Sequence, residues 1–191
     1  MNPTLYIIAG CNGAGKTTAS FSLLPSILNC DIFINADEIA REIAPREVEK
    51  VAFEAGRQMI EQINARIRER ETFAFETTLS ARSYRETILF AQALGYHVAL
   101  LFFWLESVEM AIDRVARRVK EGGHNIDTEV IRRRYNRGIK NLFEIYIPLV
   151  SETMIYNNSF GIPELVVSKS LGRKFEIKNF EIWEKLKNQR N

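Results

Sequence analysis

The stretch LYIIAGCNGAGKT, residues 5–17, decides the fold. Its first half is a short apolar run that predicts a buried strand. Its second half, Gly10 to Thr17, has the G-x-x-x-x-G-K-[ST] spacing of a phosphate-binding loop. The glycines let the backbone aim its N–H groups at phosphate oxygens, and the following helix adds the positive end of its dipole. A glycine turn that only joined a strand to a helix would not require Lys-Thr at its end.

This loop predicts a nucleotide site. Lys16 is expected to reach the β- and γ-phosphates of ATP, and the Thr17 hydroxyl is expected to bind Mg²⁺. The predicted nucleotide-binding residues are Gly10, Asn12, Gly13, Ala14, Gly15, Lys16, Thr17, Thr18 and, from a later helix, Arg114.

The rest of the chain alternates strand and helix patterns. Strands are predicted at 5–9, 32–34, 73–75, 97–105, 154–156 and 165–167, and helices at 16–28, 47–70, 83–94 and 180–187. Residues 108–145 predict two basic helical stretches with a hinge at Gly122-Gly123. This order predicts a three-layer α/β fold with a parallel sheet, and the basic stretch at about 108–146 is interpreted as a helical lid. Without a linker or repeat, residues 1–191 are interpreted as one domain.

Composition narrows the class of protein. The chain has 191 residues, 46% of them hydrophobic, and its 26 Lys+Arg against 24 Asp+Glu give a net charge of only +2. These values argue against a disordered chain, a nucleic-acid coat and a membrane-surface protein. No apolar run approaches the roughly 20 residues of a membrane span. Two cysteines, Cys11 and Cys30, and an N-terminus without signal-peptide features predict a cytoplasmic protein.

The segments after the loop favour a small kinase over other nucleotide-binding proteins. The chain lacks the N-K-x-D tetrapeptide of guanine-selective switches. The long strand at 97–105 ends in Glu106-Ser107, whereas motor ATPases usually end such a strand in an acid that binds Mg²⁺. Phosphoryl transfer also needs a carboxylate near the acceptor hydroxyl and cations near the γ-phosphate, and the chain has candidates for both.

Two polar segments follow predicted strands, at the sheet edge where open α/β folds bind ligands. Asp37 can accept the proton of an acceptor hydroxyl, or it can cap the helix that starts at Glu38. Asn35 can serve as the cap or contact substrate. Glu76 and Thr78 can hold acceptor hydroxyls, or they can belong to a solvated turn in which Thr78 or Ser80 caps the next helix.

The hinge region carries the concentrated charge of the chain. Residues 114–140 contain nine basic side chains against three acidic ones. Arg114 and Arg118 lie four apart and share a helix face, and Arg134 approaches from the second helix, so these arginines can close over a triphosphate. The alternative is an ordinary solvated face. Nucleic acid is an unfavoured partner, because Tyr135 is the single aromatic interleaved with these charges. His124 can contact phosphate or acceptor, or simply stabilise the turn.

Several motifs together resemble the zeta toxin family. They are the loop Gly10 to Thr17, Asn35-Ala36-Asp37, Phe75-Glu76-Thr77-Thr78, Arg114 to His124, Arg134-Tyr135, Asn141-Leu142 and Ile155 to Ser159. The resemblance implies a P-loop kinase that phosphorylates the amino-sugar unit of UDP-N-acetylglucosamine and is restrained by a separate antitoxin. It further implies that Lys16 and Thr17 hold ATP and Mg²⁺, Asp37 is the base, Glu76 and Thr78 hold acceptor hydroxyls, and Arg118 and Arg134 flank the transferred phosphate.

The sequence therefore predicts an ATP-dependent kinase whose acceptor is a hydroxyl of a small molecule, with a sugar or nucleotide-sugar favoured. A nucleoside or other metabolite kinase is the alternative among enzymes. A binding module that closes on ATP without catalysis is the alternative from another class. Asp37 favours an enzyme, because a binding module does not need a base beside the acceptor.

Overall fold

The structure is a computed structural model that describes residues 2–20, 29–45 and 47–190. The strands are β1 (Thr4–Gly10), β2 (Phe33–Ile34), β3 (Phe73–Thr77), β4 (His97–Trp104), β5 (Glu152–Asn157), β6 (Glu164–Ser170) and β7 (Glu176–Ile177). The helices are α1 (described over 16–20), α2 (Ala36–Ile43), α3 (Ala52–Glu69), α4 (Tyr84–Ala93), α5 (Val108–Lys120), α6 (Thr128–Asn141), α7 (Ile147–Leu149) and α8 (Phe180–Asn188). A π-helical segment, Leu142–Tyr146, joins α6 to α7.

The seven strands form one sheet in the order β2-β3-β1-β4-β5-β6-β7. The pairs from β2 to β5 are all parallel, as predicted, and β6 and β7 extend the sheet in antiparallel directions. β4 is buried at every position from Val98 to Trp104, so both of its faces are covered. This burial and the parallel strand order confirm the predicted α/β layers.

One predicted helix starts several residues away from the observed one. The helix predicted at 47–70 begins at Ala52, because residues 48–51 form a turn. The helix predicted at 16–28 is observed over 16–20, and its remaining residues lie outside the described part of the chain. α2 ends just before Pro45, as a proline without a backbone donor requires. Among the described helices, none is long and apolar enough to cross a membrane.

Candidate active site

The loop between β1 and α1 has the geometry that its glycines predict. Gly13 has a φ of +78° and Gly15 a φ of +79°, in the left-handed region that favours glycine. A Cβ on Gly13 would lie 2.9 Å from the Ala111 carbonyl oxygen, and one on Gly15 would lie 2.6 Å from Asn158 Nδ2. Neighbouring elements therefore fix the path of this loop, and larger residues at these two positions would displace it.

Glu76 connects Lys16 and Thr17 to the neighbouring strand. Its Oε1 lies 3.4 Å from Lys16 Nζ, and its Oε2 accepts a 2.7 Å hydrogen bond from Thr17 Oγ1. Lys16 is 6% exposed and the Glu76 side chain 13%, so the pair is largely shielded from water. Lys16 Nζ also donates to the Cys11 carbonyl oxygen at 3.0 Å. This cluster gathers an ammonium, a hydroxyl and a carboxylate at the mouth of the loop.

Parallel pairing brings the Glu76 carboxylate to the loop. Glu76 lies opposite Ile8 in the register between β3 and β1, two residues before β1 ends at Gly10. In P-loop proteins, the loop hydroxyl and an acid from a nearby strand hold Mg²⁺. From the sequence, Glu76 was predicted to hold acceptor hydroxyls, and its contact with Thr17 was not predicted. The available signal was the single acid at the end of the apolar Phe73-Ala74-Phe75 run.

Asn35 is the N-cap of α2. Its Oδ1 accepts a 2.8 Å hydrogen bond from the Asp37 backbone N–H, and its Nδ2 donates to Glu76 Oε2 at 3.2 Å. The alternative in which Asp37 caps this helix is therefore wrong. The Asp37 side chain is exposed and lines a cavity beside Lys16 and Glu76. Its carboxylate is free to meet a ligand there.

The 77–81 loop forms the opposite wall of that cavity. Leu79 is fully buried with a φ of +55°, which is uncommon for a side chain of its size. Its carbonyl oxygen accepts a 2.8 Å hydrogen bond from Asn141 Nδ2 on α6. Thr78 Oγ1 and Ser80 Oγ lie 2.9 Å apart and both residues line the cavity. Neither residue caps α4, whose N-cap is Ser83, so that alternative is also wrong.

The three arginines singled out from the sequence occupy different places. Arg114 donates through Nη2 to the carbonyl oxygens of Asn158 at 2.9 Å and Ser159 at 2.8 Å, and its Nη1 lies 3.5 Å from the Gly13 carbonyl oxygen. It therefore braces the phosphate-binding loop against the turn after β5. Asn158 contacts the loop as well, because its Nδ2 donates to the Ala14 carbonyl oxygen at 2.7 Å. The sequence did not indicate that this turn supports the site.

Arg134 reaches the loop directly, and Arg118 lies farther out. Arg134 Nη1 is 3.4 Å from Asn12 Oδ1. Burial lowers the pKa of Arg134 from its ordinary value, and the nearby Asp37 carboxylate opposes that shift. Arg118 Nη2 donates to the His124 carbonyl oxygen at 3.2 Å, and its buried Nε has no protein partner. His124 Nε2 in turn lies 3.8 Å from Glu49 Oε1.

Four cavities surround these residues. A cavity of about 220 Å³ is bounded by Asn12, Lys16, Asn35, Asp37, Glu76, Thr78, Ser80 and Arg134, among others. Two larger cavities, of about 580 and 560 Å³, share Asp37, Val48, Glu49 and His124. A fourth, of about 630 Å³, lies on the other side of the loop and is bounded by Gly15, Thr18, Ala19, Arg114, Arg117, Tyr156, Asn158, Gly161 and Pro163.

Cys11 lies under the loop and is not a reactive thiol. It is buried, and burial raises its pKa to about 11 although Lys16 lies nearby. A thiol with this pKa is almost wholly protonated at neutral pH, and the thiol is a poor nucleophile compared with the thiolate. Cys11 is therefore a poor candidate for a nucleophile at this site.

The sheet order, the glycine loop and the Lys16, Thr17 and Glu76 cluster define a P-loop fold of the kinase type. The AAA domain family matches residues 5–142, and the chain belongs to this family. A protein of Haemophilus influenzae, described as an uncharacterized protein, is 32% identical over 126 residues, which cover 66% of this chain and 88% of that one.

Three solved structures share the fold. The AvrRxo1-ORF1:-ORF2 structure with ATP has a TM-score of 0.79 at 18% identity; the match covers 100% of this chain and 65% of that one. The PezAT toxin-antitoxin structure of Streptococcus pneumoniae has a TM-score of 0.67 at 16% identity, with 98% and 86% covered. A gluconokinase from Sinorhizobium meliloti 1021 has a TM-score of 0.53 at 13% identity, with 99% and 91% covered. At these identities, the likeness shows the fold alone.

Proposed function

We propose that this protein is an ATP-dependent kinase that transfers the γ-phosphoryl group to a hydroxyl of a small molecule, as the zeta toxins do. One observation carries the proposal: Lys16, Asp37, Glu76 and Arg134 line a single cavity of about 220 Å³ at the mouth of the phosphate-binding loop. A cation for the γ-phosphate, a carboxylate for the acceptor and a second cation for developing charge thus meet in one place.

The nucleotide extends across the phosphate-binding loop, from the cavity of about 220 Å³ to the cavity on the other side of the loop. The cavity of about 630 Å³ beside Gly15 and Thr18 takes the base and ribose, with the exposed Arg117 as one wall. A planar guanidinium can stack on a nucleobase in this position. From there, the triphosphate passes over the loop N–H groups, so that its γ-phosphate lies near Lys16. The AvrRxo1-ORF1:-ORF2 structure with ATP supports a nucleotide on this fold.

Thr17 and Glu76 fit the Mg²⁺ ion that the kinase fold implies. Thr17 Oγ1 and Glu76 Oε2 lie 2.7 Å apart, and both are oxygen donors, the ligand type that Mg²⁺ prefers. When bound, the ion neutralises charge on the β- and γ-phosphate oxygens. Thr17 is proposed as a direct ligand, and Glu76 orients it. In this assignment, Glu76 serves the nucleotide as well as the acceptor side.

Asp37 is the proposed catalytic base. Its carboxylate accepts the acceptor's hydroxyl proton while the oxygen attacks the γ-phosphorus, and the bond to the β-phosphate oxygen breaks. Lys16 and Arg134 stabilise the negative charge that spreads over the transferred group. Arg118 approaches from the hinge when the lid, proposed at about 108–146, closes. Water exclusion by that closure strengthens each of these contacts.

The acceptor extends from the cavity of about 220 Å³, which Asn35 and Thr78 line, into the two cavities that share Asp37 and His124. Together they offer more room than one sugar ring fills. Arg41, Lys50 and Arg118 line one of them together with Glu47 and Glu49, and Lys50 is paired with Glu47, so Arg41 and Arg118 are the cations left for a ligand. Cations beside a hydroxyl-binding carboxylate suit an acceptor with a sugar at one end and phosphate at the other, so a nucleotide-sugar of the UDP-N-acetylglucosamine type is favoured. Asn35, Thr78 and His124 are the proposed hydroxyl contacts.

An antitoxin protein is the proposed partner. PezAT is a toxin-antitoxin system, and the AvrRxo1 structure pairs two open reading frames, which supports a protein partner on this fold. Residues 1–191 are proposed to act as one kinase domain. The cytoplasm is the proposed compartment, because both cysteines are free, buried thiols.

An acceptor panel tests the substrate class. Purified protein is incubated with ATP and Mg²⁺ and with sugars, nucleosides or nucleotide-sugars, and each acceptor is followed by mass spectrometry. We expect a gain of one phosphate on a nucleotide-sugar. A gain confined to nucleosides would favour the metabolite-kinase alternative, and binding of ATP with no product on any acceptor would favour a binding module.

A further inference from the structure

Gln189, the C-cap residue of α8, connects three elements through its side-chain amide. Its Oε1 lies 2.9 Å from Trp104 Nε1 on β4 and 2.9 Å from Tyr135 Oη on α6. Its Nε2 donates to the Glu106 carbonyl oxygen at 2.7 Å. Tyr135 Oη also lies 2.7 Å from the Leu105 carbonyl oxygen, so its one proton is shared between two acceptors.

The orientation of this amide is fixed by its partners. The indole N–H of Trp104 can only donate, and the Glu106 carbonyl can only accept. Reversing the amide would place its NH₂ group against the indole N–H and its oxygen against the Glu106 carbonyl oxygen, so its orientation is fixed. Trp104 is 1% exposed and Tyr135 5% exposed. Burial raises the pKa of the Tyr135 hydroxyl, so it remains a neutral donor. Loss of the amide would leave the buried indole N–H of Trp104 without this acceptor, whereas Tyr135 Oη would keep the Leu105 carbonyl oxygen.

Tyr135, which contacts Gln189, also lies close to the phosphate-binding loop. Tyr135 follows Arg134 on α6, and Arg134 is the side chain that reaches Asn12 in the loop. Tyr135 and Cys11 bound the same small internal cavity beneath the loop. Three residues further along α6, a Cβ on Gly138 would lie 2.6 Å from the Thr78 carbonyl oxygen, so this helix packs closely over the 77–81 loop.

We infer that Gln189 is a positioning residue that holds α6 against the end of β4 and thereby places Arg134 at the transferred phosphate. Gln189 lies beyond residues 5–142, the part of the chain that matches the AAA domain family, so its contacts add to the shared fold. The catalytic part of the inference rests on the proposed function, whereas the placement of α6 does not.

Gln189→Met tests the inference, because methionine keeps the length of the side chain and removes its three polar contacts. Asn188→Ala is the matched control, since Asn188 is exposed and lies on the same helix end. Tyr135→Phe is a second variant that loses the bonds of the hydroxyl to both Gln189 and Leu105 and leaves Gln189 bonded to Trp104 and Glu106. Hydrogen exchange of residues 128–141, the indole N–H resonances of the two tryptophans, ATP affinity and kcat are measured for each variant.

In Gln189→Met, we expect one indole resonance to shift and exchange in 128–141 to rise about 10-fold, the scale of one lost hydrogen bond. We expect kcat to fall about 10- to 100-fold, since a misplacement of about 1 Å has an effect of that order. The ATP affinity of Gln189→Met stays within about 2-fold of the wild-type value. In Asn188→Ala, exchange, ATP affinity and kcat all stay within about 2-fold of wild type. Tyr135→Phe raises exchange and lowers kcat by more, because it also loses the bond to the Leu105 carbonyl oxygen. Gln189→Asn, whose amide is one methylene shorter, replaces Gln189→Met if that variant does not fold.

Wild-type exchange in 128–141 would overturn the inference, and so would raised exchange with an unchanged kcat. If the wild-type protein transfers no phosphate to any acceptor while Gln189→Met still raises exchange in 128–141, the proposed function fails and the placement of α6 by Gln189 stands.

Discussion

Asp37→Asn separates the chemistry of Asp37 from its structural surroundings. Asn35 caps α2, so Asp37 contributes to the helix only through its charge in the first turn. Such a charge contributes about 0.3–1 kcal/mol at an exposed helix N-terminus. For a chain of this size, a change of 1 kcal/mol moves the Tm by about 2–4 °C. We therefore expect the Tm of Asp37→Asn to fall by no more than about 4 °C.

The rate of phosphoryl transfer should change far more. A positioned base contributes about 100-fold or more, equivalent to about 2.7 kcal/mol of transition-state stabilisation. ATP affinity should stay near wild type, because Lys16, Thr17 and Glu76 remain in place. The assay compares the Tm, the Kd for ATP and the transfer rate of the purified variant with those of the wild-type protein.

Glu38→Gln is the matched control. Glu38 carries the same charge in the same turn of α2 and is not among the residues that bound the described cavities. It should lower the Tm by a similar amount and leave the transfer rate unchanged. Full transfer activity in a folded Asp37→Asn protein would refute the reasoning and leave Glu76 as the carboxylate on the acceptor side.

Three further predictions follow from the site and its supports. Lys16→Ala should abolish ATP turnover, because it removes the cation at the γ-phosphate, and it should lower the Tm, because it leaves the largely shielded Glu76 carboxylate without its cation. Turnover at the wild-type rate would contradict the nucleotide assignment. Arg134→Ala should lower kcat by about 100-fold and ATP affinity much less, whereas Arg133→Ala, an exposed neighbour, should lower neither. Gly138→Ala should lower the free energy of unfolding by about 1–3 kcal/mol, because the new Cβ would contact the 77–81 loop. Gly56→Ala, which has open space around its Cβ position, should raise the free energy of unfolding by about 0.5–1 kcal/mol. Chemical denaturation measures both.

The local features of the fold could be predicted from the sequence. The apolar run before Gly10 predicted the strand, and Gly10 to Thr17 predicted the loop and the start of the helix, because the motif positions there serve a backbone conformation or a phosphate contact. Strand and helix order predicted the α/β class. The strand at 165–167 was predicted and is observed as β6, whereas β7 was not predicted. The antiparallel direction of both strands could not be predicted, since it depends on pairing partners that local periodicity does not reveal.

Several residues of the candidate site could be singled out from the sequence, but the contacts between them could not be predicted. Lys16 and Asp37 were singled out from the sequence as the ATP cation and the base, and both line one cavity, because both follow strands at the same sheet edge. The contact of Glu76 with Thr17 depends on β3 lying beside β1, which is a property of the strand order. The contacts of Arg114 with Asn158 and of Gln189 with Tyr135 join positions far apart in sequence, and no local pattern indicates them.

Transfer of a labelled phosphoryl group tests the central claim most directly. Wild-type protein and Lys16→Ala are each incubated with a metabolite extract, Mg²⁺ and ATP carrying ¹⁸O on its γ-phosphate, and products are followed by mass spectrometry. The account predicts that wild-type protein produces a small molecule bearing the labelled phosphate and that Lys16→Ala does not. Wild-type protein that binds ATP and leaves the label on ATP or inorganic phosphate alone would contradict it.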